Sequence, residues 1–295
     1  MNQNGKGITV TKTLKKDPVD SFSYSTAVSQ DGTKIGFLST GRGPGLIVIP
    51  GALTTSAEFT AFASYFSDLL TVHILDRRGR GESGSQGSDY SICKECEDLA
   101  AVQEATGASY LFGLSYGGLV ALEAAMANQS PFEKIALYEP GIYLHSVPTD
   151  WEWLSEYEED LEKQDYRGAF TTFVQGASQT FLSRVPKWFA KLNLRIGIRG
   201  EHWERILRLL KENLTEHKEV QRLASTYRKY KTIQSDVLLM AGHKSPESTH
   251  QTIRELNRTI KGSQMLIIPR LHHLSPENGY SPLQVAQQVK TFLTN

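Results

Sequence analysis

Apolar and polar positions alternate from Phe22 to Ser29 and again from Thr33 to Ser39, with the turn signal "QDG" between them. The pattern predicts an opening β-hairpin. Downstream the pattern changes to short apolar runs with little alternation: Leu46–Pro50, Val72–Asp76, Tyr110–Leu114, Lys134–Glu139, Val237–Gly242 and Gln264–Pro269. Such runs suit strands buried on both faces of a parallel sheet. Helix-like stretches such as "CEDLAAVQEATG" and "GGLVALEAAMA" lie between most of them. Strands alternating with helices predict an α/β, doubly wound sheet with ligand chemistry at the carboxyl ends of its strands.

The interval from Glu139 to Asp236 breaks this rhythm. It carries no convincing buried strand and is rich in large aromatics, among them Trp151, Trp153, Tyr157, Phe170, Phe173 and Trp203. In "ERILRLLKENL" the residues Ile206, Leu209, Leu210 and Leu214 fall on one helical face. A long excursion from a sheet should have structure of its own, so the organisation expected is a core at 21–140 and 232–295 with an inserted helical cap at 141–231. The last two helices have start signals. "SPES" places Ser245 as N-cap before Pro246, and "SPLQ" does the same with Ser281, Pro282 and a reciprocal Gln284.

Composition narrows the class. Of 295 residues 39% are hydrophobic and 22% charged, enough for a sizeable core. Lys+Arg and Asp+Glu balance at 32 each, so no global field favours nucleic acid or an anionic membrane. The apolar runs are too short to cross a bilayer. Residues 1–20 lack the apolar region of a secretory signal and are expected to form a polar N-terminal arm of a cytoplasmic protein. The CxxC of Cys93 and Cys96 has no second pair at metal spacing, and positions i and i+3 share a helix face, so both are expected to be plain helix residues.

Chemistry enters at "YLFGLSYGGLVALEAAMA", where Gly113-Leu114-Ser115-Tyr116-Gly117 has the form G-x-S-x-G between a strand and a helix. A sharp strand-to-helix turn holds such a serine in a strained conformation, and side chains two positions either way would collide with neighbouring backbone. Ser115 Oγ would then stand clear of the sheet edge, beside the positive end of the next helix.

With this elbow the chain resembles the α/β-hydrolase superfamily, and within it the small capped serine hydrolases. "VIPGALTTS" looks like the loop after the family's third strand, with Pro50-Gly51 where the family usually has His-Gly. The family's oxyanion hole carries over to the backbone N–H groups of Ala52 and Tyr116, which need no particular side chain. "LDRRGRGESG" resembles the family's D-x-R-G-x-G-x-S loop, so Gly79 to Gly84 is not a dinucleotide fingerprint; two arginines separate it from its strand and no helix follows. The resemblance implies a general base after the last strand. Counting from Pro269 puts it at His273, with His272 flanking it and His243 a plain loop histidine.

The acid that orients the histidine is displaced. Ser245 occupies the family's usual aspartate position, three residues after Gly242, and Asp236 lies at the wrong end of its strand. Glu139 ends "KIALYEPG" at the carboxyl edge, where the histidine loop must also lie; some α/β-hydrolases place the acid after this earlier strand, and the Tyr-Glu-Pro run looks like that arrangement. Glu139 is therefore the assigned acid. Glu247, whose first-turn position is also favoured by the helix dipole, and a Ser–His dyad are the alternatives. The bland reading of Glu139 is a loop carboxylate paired with Arg77 or Arg78.

The function implied is hydrolysis of small carboxylic esters, lactones or related acyl compounds, with Ser115, His273 and Glu139 as triad. Perhydrolase or C–C hydrolase activity is open within the same fold. No metal or organic cofactor is implied, and the partner expected is a small-molecule acyl substrate, with no nucleic acid and no membrane. The alternative is a slow or inert ligand-binding or signalling protein on the same scaffold.

Overall fold

The computed structural model describes residues 13–14, 21–127, 130–144, 150–177 and 181–295. A single sheet runs through the core. Its strands are β1 (Thr13–Leu14), β2 (Phe22–Val28), β3 (Lys34–Gly41), β4 (Gly45–Ile49), β5 (Thr71–Leu75), β6 (Tyr110–Leu114), β7 (Lys134–Tyr138), β8 (Asp236–Gly242) and β9 (Gln264–Ile268). They lie in the order β1-β2-β3-β5-β4-β6-β7-β8-β9. The pairs among β1, β2, β3 and β5 are antiparallel, and every pair from β5 through β4 to β9 is parallel.

The short apolar runs become strands because both faces of the sheet are covered. Ile47, Ile49, Leu111, Ile135, Leu137 and Leu239 face one buried cluster. Their neighbours Leu46, Val48, Phe112, Ala136, Leu238 and Met240 face the other. Helices α2 (Ile92–Thr106), α3 (Tyr116–Ala125) and α8 (Glu247–Thr259) pack on the first cluster. Helices α1 (Thr60–Ser64) and α9 (Pro282–Thr294) pack on the second. Period two survives in this core as a choice between two apolar layers, which hides it from a polar/apolar pattern.

Between β7 and β8 the chain forms α4 (Glu152–Glu162), α5 (Tyr166–Ala177), α6 (Lys187–Gly197) and α7 (Gly200–Leu223). They share a third cluster built on Trp153, Tyr157, Phe170, Ile206 and Leu210, into which Leu53 reaches from the loop after β4.

The structure departs from the sequence reading at three places. Most of the arm expected over 1–20 lies outside the described residues, but Thr13–Leu14 pairs with β2 as a sheet edge. Ser245 is not the cap of α8. Pro246 holds the N-cap position with no side-chain hydrogen bond, and the Ser245 hydroxyl turns into the core. Ser281 holds the N-cap position of α9 with Pro282 at the first turn but makes no side-chain cap hydrogen bond, its ψ of 47° not being the extended geometry that aims a cap oxygen at the helix. Gln284 donates only its backbone N–H to Ser281 O, at 3.2 Å, so the reciprocal cap does not form.

Candidate active site

Ser115 occupies the turn between β6 and α3 with φ 53° and ψ −118°, a conformation that L side chains rarely adopt. The flanking glycines are forced by contact. A Cβ at Gly117 would lie 2.1 Å from Ile49 O, and one at Gly113 would lie 2.7 Å from Gly117 O. The turn is pinned by Ser115 N–H donating to Tyr138 O at 3.1 Å and by Gly141 N–H donating to Ser115 O at 2.8 Å.

Glu139 follows β7 with φ 46° and is 4% exposed. Its Oε2 accepts from His273 Nδ1 at 2.8 Å. Its Oε1 accepts from Gly242 N–H at 2.8 Å and from the Ser245 hydroxyl. Ser245, which the sequence reading placed at the family's usual aspartate position, thus braces the Glu139 carboxylate. Burial pushes the Glu139 carboxyl up, but its bonds to His273, Ser245 and Gly242 outweigh burial and hold it below the usual carboxylate value. For His273 burial disfavours the imidazolium, and the Glu139 bond and charge more than offset it, so its pKa lies above 6.5. The His273 side chain remains 46% accessible because it faces an open cavity.

Gly242 lets the histidine loop approach, since a Cβ there would meet Leu271 O at 2.4 Å. Tyr138 O–H donates to His272 O at 3.0 Å and ties the same loop to β7. His272 flanks the site with its ring edge-on to Tyr280, centroids 5.2 Å apart. His243 is exposed. Glu247 is exposed and pairs with Arg254, while the carboxylate bonded to His273 is Glu139. Neither Arg77 nor Arg78 pairs with Glu139: Arg77 contacts Glu95 and Glu216, and Arg78 contacts Asp98 and Asp31.

The loop after β4 is oriented by its carbonyls. Gly51 O accepts from Arg77 Nη2 at 3.0 Å, Thr54 Oγ1 at 3.0 Å and Arg80 Nη1 at 3.3 Å. A trans peptide points its N–H opposite to its C=O, so the Ala52 N–H is turned away from these donors. In the same way Ser115 O is taken by Gly118, Leu119 and Gly141 N–H groups, which turns the Tyr116 N–H to the other side. Ala52, Ser115, Tyr116, Glu139 and His273 all line one cavity of about 930 Å³. Its far wall comes from α5, α6 and α7, with Phe170, Phe173, Leu194 and Ile206.

Residues 46–288 match the profile of the Alpha/beta hydrolase family. The chain belongs to that family. An alpha/beta hydrolase from Sphaerobacter thermophilus superposes with TM-score 0.77 at 26% identity, covering 91% of this chain and 99% of the other. A thermophilic esterase from Thermogutta terrifontis superposes with TM-score 0.70 at 20% identity, covering 91% and 97%, a likeness of fold. Among curated proteins, N-formylmaleamate deformylase of Pseudomonas putida is 29% identical over 128 residues, which are 42% of this chain and 48% of that protein. The matched segment thus spans about half of that relative's length.

Several residues of this hydrolase escaped the sequence reading. Asn213, Glu216 and His217 are buried on α7, continuing the apolar stripe of Leu209, Leu210 and Leu214. Polar residues interrupting such a stripe were the available signal. Arg77 and Arg80 occupy two of the three unspecified positions of D-x-R-G-x-G-x-S and are fully buried. The pattern arginine, Arg78, instead braces α2 through Asp98 at 2.6 Å. Cys93 is exposed and Cys96 half-buried on α2, both free. Among the described residues no helix is long and apolar enough to cross a membrane.

Proposed function

We propose that this α/β-hydrolase is a serine hydrolase that cleaves small carboxylic esters, lactones or related acyl compounds through an acyl-enzyme. The observation that carries the reading is the 2.8 Å contact of Glu139 Oε2 with His273 Nδ1 in a cavity that also holds the elbow serine. With Nδ1–H given to Glu139, Nε2 is the ring's free acceptor. It takes the Ser115 proton as Oγ bonds to the substrate carbonyl carbon. The tetrahedral oxyanion is held by the Ala52 and Tyr116 N–H groups. His273 returns the proton to the leaving alcohol as the carbon–oxygen bond breaks. Water repeats the sequence: it loses a proton to His273, attacks the acyl carbon, and Ser115 Oγ leaves and is reprotonated. The names of the relatives, an esterase and a deformylase, support acyl transfer to water as the reaction type.

The deciding experiment is the rate of labelling by a fluorophosphonate, which requires an activated serine. Wild type is expected to label rapidly, Ser115→Ala not at all, and Glu139→Gln slower by orders of magnitude, since losing the acid of a serine protease triad costs on the order of 10⁴ in rate. Labelling at the wild-type rate in Glu139→Gln would remove Glu139 from the mechanism and leave a dyad. A folded wild type that does not label would make the scaffold a ligand-binding protein.

A further inference from the structure

The cap reaches the oxyanion loop through buried charge. Arg77 is fully buried and donates from Nε to Pro50 O at 3.1 Å and from Nη2 to Gly51 O at 3.0 Å. Its guanidinium also lies over the Tyr116 ring, 4.7 Å from the centroid. Tyr116 is fixed at its other end by Tyr90, hydroxyl to hydroxyl at 2.7 Å, and Tyr90 O–H donates to Glu95 at 2.9 Å. One side chain therefore holds the Gly51–Ala52 peptide by its carbonyl and packs on the ring of Tyr116, the residue that carries the other N–H assigned to the oxyanion hole.

Arg77 itself is held from two sides. Glu95 on α2 accepts from Nη1 at 2.8 Å. Glu216, on cap helix α7, lies 3.0 Å from Nη2 as an ion pair without hydrogen-bond alignment, and its other oxygen contacts Arg80. Arg80 in turn donates to Gly51 O at 3.3 Å and Thr54 O at 3.2 Å. All four charged side chains are inaccessible to solvent, and their charges cancel. Burial opposes ionisation of Glu216, but Arg77 and Arg80 outweigh it and hold its carboxyl below the usual value. Glu95, with less cationic support, is pushed up by burial. Glu216 is the firmer anion of the pair, and it belongs to the cap.

We propose that Arg77, anchored by the cap carboxylate Glu216, is a positioning residue for the oxyanion hole, so that seating of α7 on the core sets the direction of the Ala52 N–H. This rests on the assignment of Ala52 and Tyr116 made above. The guanidinium is suited to the task because its planar fork serves two carbonyls and two carboxylates at once, which a lysine ammonium does not.

The test compares wild type with Arg77→Lys and Glu216→Gln on an ester and its thionoester, in which sulfur replaces the carbonyl oxygen. The ratio of kcat/KM for the two substrates reads the oxyanion contact and is independent of how much protein is folded. In both variants kcat is expected to fall at least tenfold with KM within about threefold, and the oxo-to-thiono ratio to shrink in step, since one oxyanion donor is worth roughly 10²–10³ in kcat. Rates that fall with an unchanged ratio would make Arg77 a purely structural residue, and unchanged rates would sink the proposal outright. The Ala52 amide, followed in ¹⁵N-alanine-labelled protein and assigned with Ala52→Gly, gives a reading without turnover. It should shift or broaden in both variants. An unmoved resonance overturns the proposal even in a protein that fails to label with fluorophosphonate, the result that would instead sink the proposed function.

Discussion

At the residue scale the proposed mechanism depends on keeping a buried carboxylate ionised. Glu139 is nearly inaccessible, yet its oxygens take donors from His273, Gly242 and Ser245, and these more than offset desolvation. Ser245→Ala deletes one donor, and because a hydrogen bond to a charged group is worth about 1.5–3 kcal/mol, kcat is expected to drop roughly tenfold in steady-state assays. An unchanged kcat would reduce Ser245 to packing. The pH dependence follows from His273, which must be neutral to accept the serine proton. Its pKa is raised, so activity should rise with pH through a limb centred above 6.5. In Glu139→Gln the bond and charge of Glu139 are gone, burial is opposed only by the Glu277 charge, and the residual activity should show a limb shifted to lower pH than in wild type. Glu277, pushed up to about 7 by burial and facing His273, Arg205 and Glu58, titrates in the same window. Glu277→Gln should therefore narrow the wild-type limb to a single ionisation; a limb of unaltered shape would uncouple the two groups. The contact of Glu139 with His273 was legible because both follow strands at the same carboxyl edge of the sheet. The duty of Ser245 was not, because Ser-Pro before a helix reads equally well as a cap. Its true partner is 106 positions away.

At the element scale the strand–turn–helix unit at Ser115 is dictated by backbone crowding. Gly117 sits against the end of β4, where the obstructing atoms are the Ile49 and Pro50 carbonyls. Backbone cannot rotate aside as a side chain can. Gly117→Ala is therefore expected to lower Tm by several degrees or more, about 4–8 °C per kcal/mol in a small domain and less in a larger one, and to abolish labelling. A stable, fully labelling Gly117→Ala protein would show that the elbow can relax and that its geometry is not limiting. This unit was legible from spacing alone because its constraints are local: strand, glycine, serine, glycine, helix. The parallel strands were equally legible, since each buries both faces and reads as an unbroken apolar run. Helix starts were less so. A proline can serve as the cap residue itself, as Pro246 does, and then the preceding serine is free for other work.

At the scale of the whole molecule the candidate cavity lies between the sheet core and the helices inserted after β7. Both line it: the core supplies Ser115 and His273, and the inserted helices supply Phe170, Phe173 and Ile206. Which cap residues would face the site was not legible, because contacts such as Arg80 with Glu216 join positions 136 apart, and periodicity marks a buried face without naming its partner. At about 930 Å³ the cavity is at the upper end of the range for small-ligand sites, and its cap wall is largely aromatic and aliphatic. An apolar wall of this kind rewards each buried methylene of an acyl chain by about 0.8 kcal/mol, close to a factor of four in kcat/KM, until the chain meets the end of the pocket. Phe173 is the natural stop. It packs against Tyr157, Phe170 and His217, with ring centroids 6.2, 6.4 and 4.9 Å away, and lines the cavity from α5. Truncating it removes wall, not machinery. Across a series of p-nitrophenyl esters, Phe173→Ala is expected to move the optimum towards longer chains by at least two carbons, with a stability loss smaller than the roughly 3–5 kcal/mol of a fully buried phenylalanine, since Phe173 is half-buried. If the optimum stays in place while the protein loses that stability, the acyl chain runs elsewhere, and the wall at α5 faces the leaving group instead.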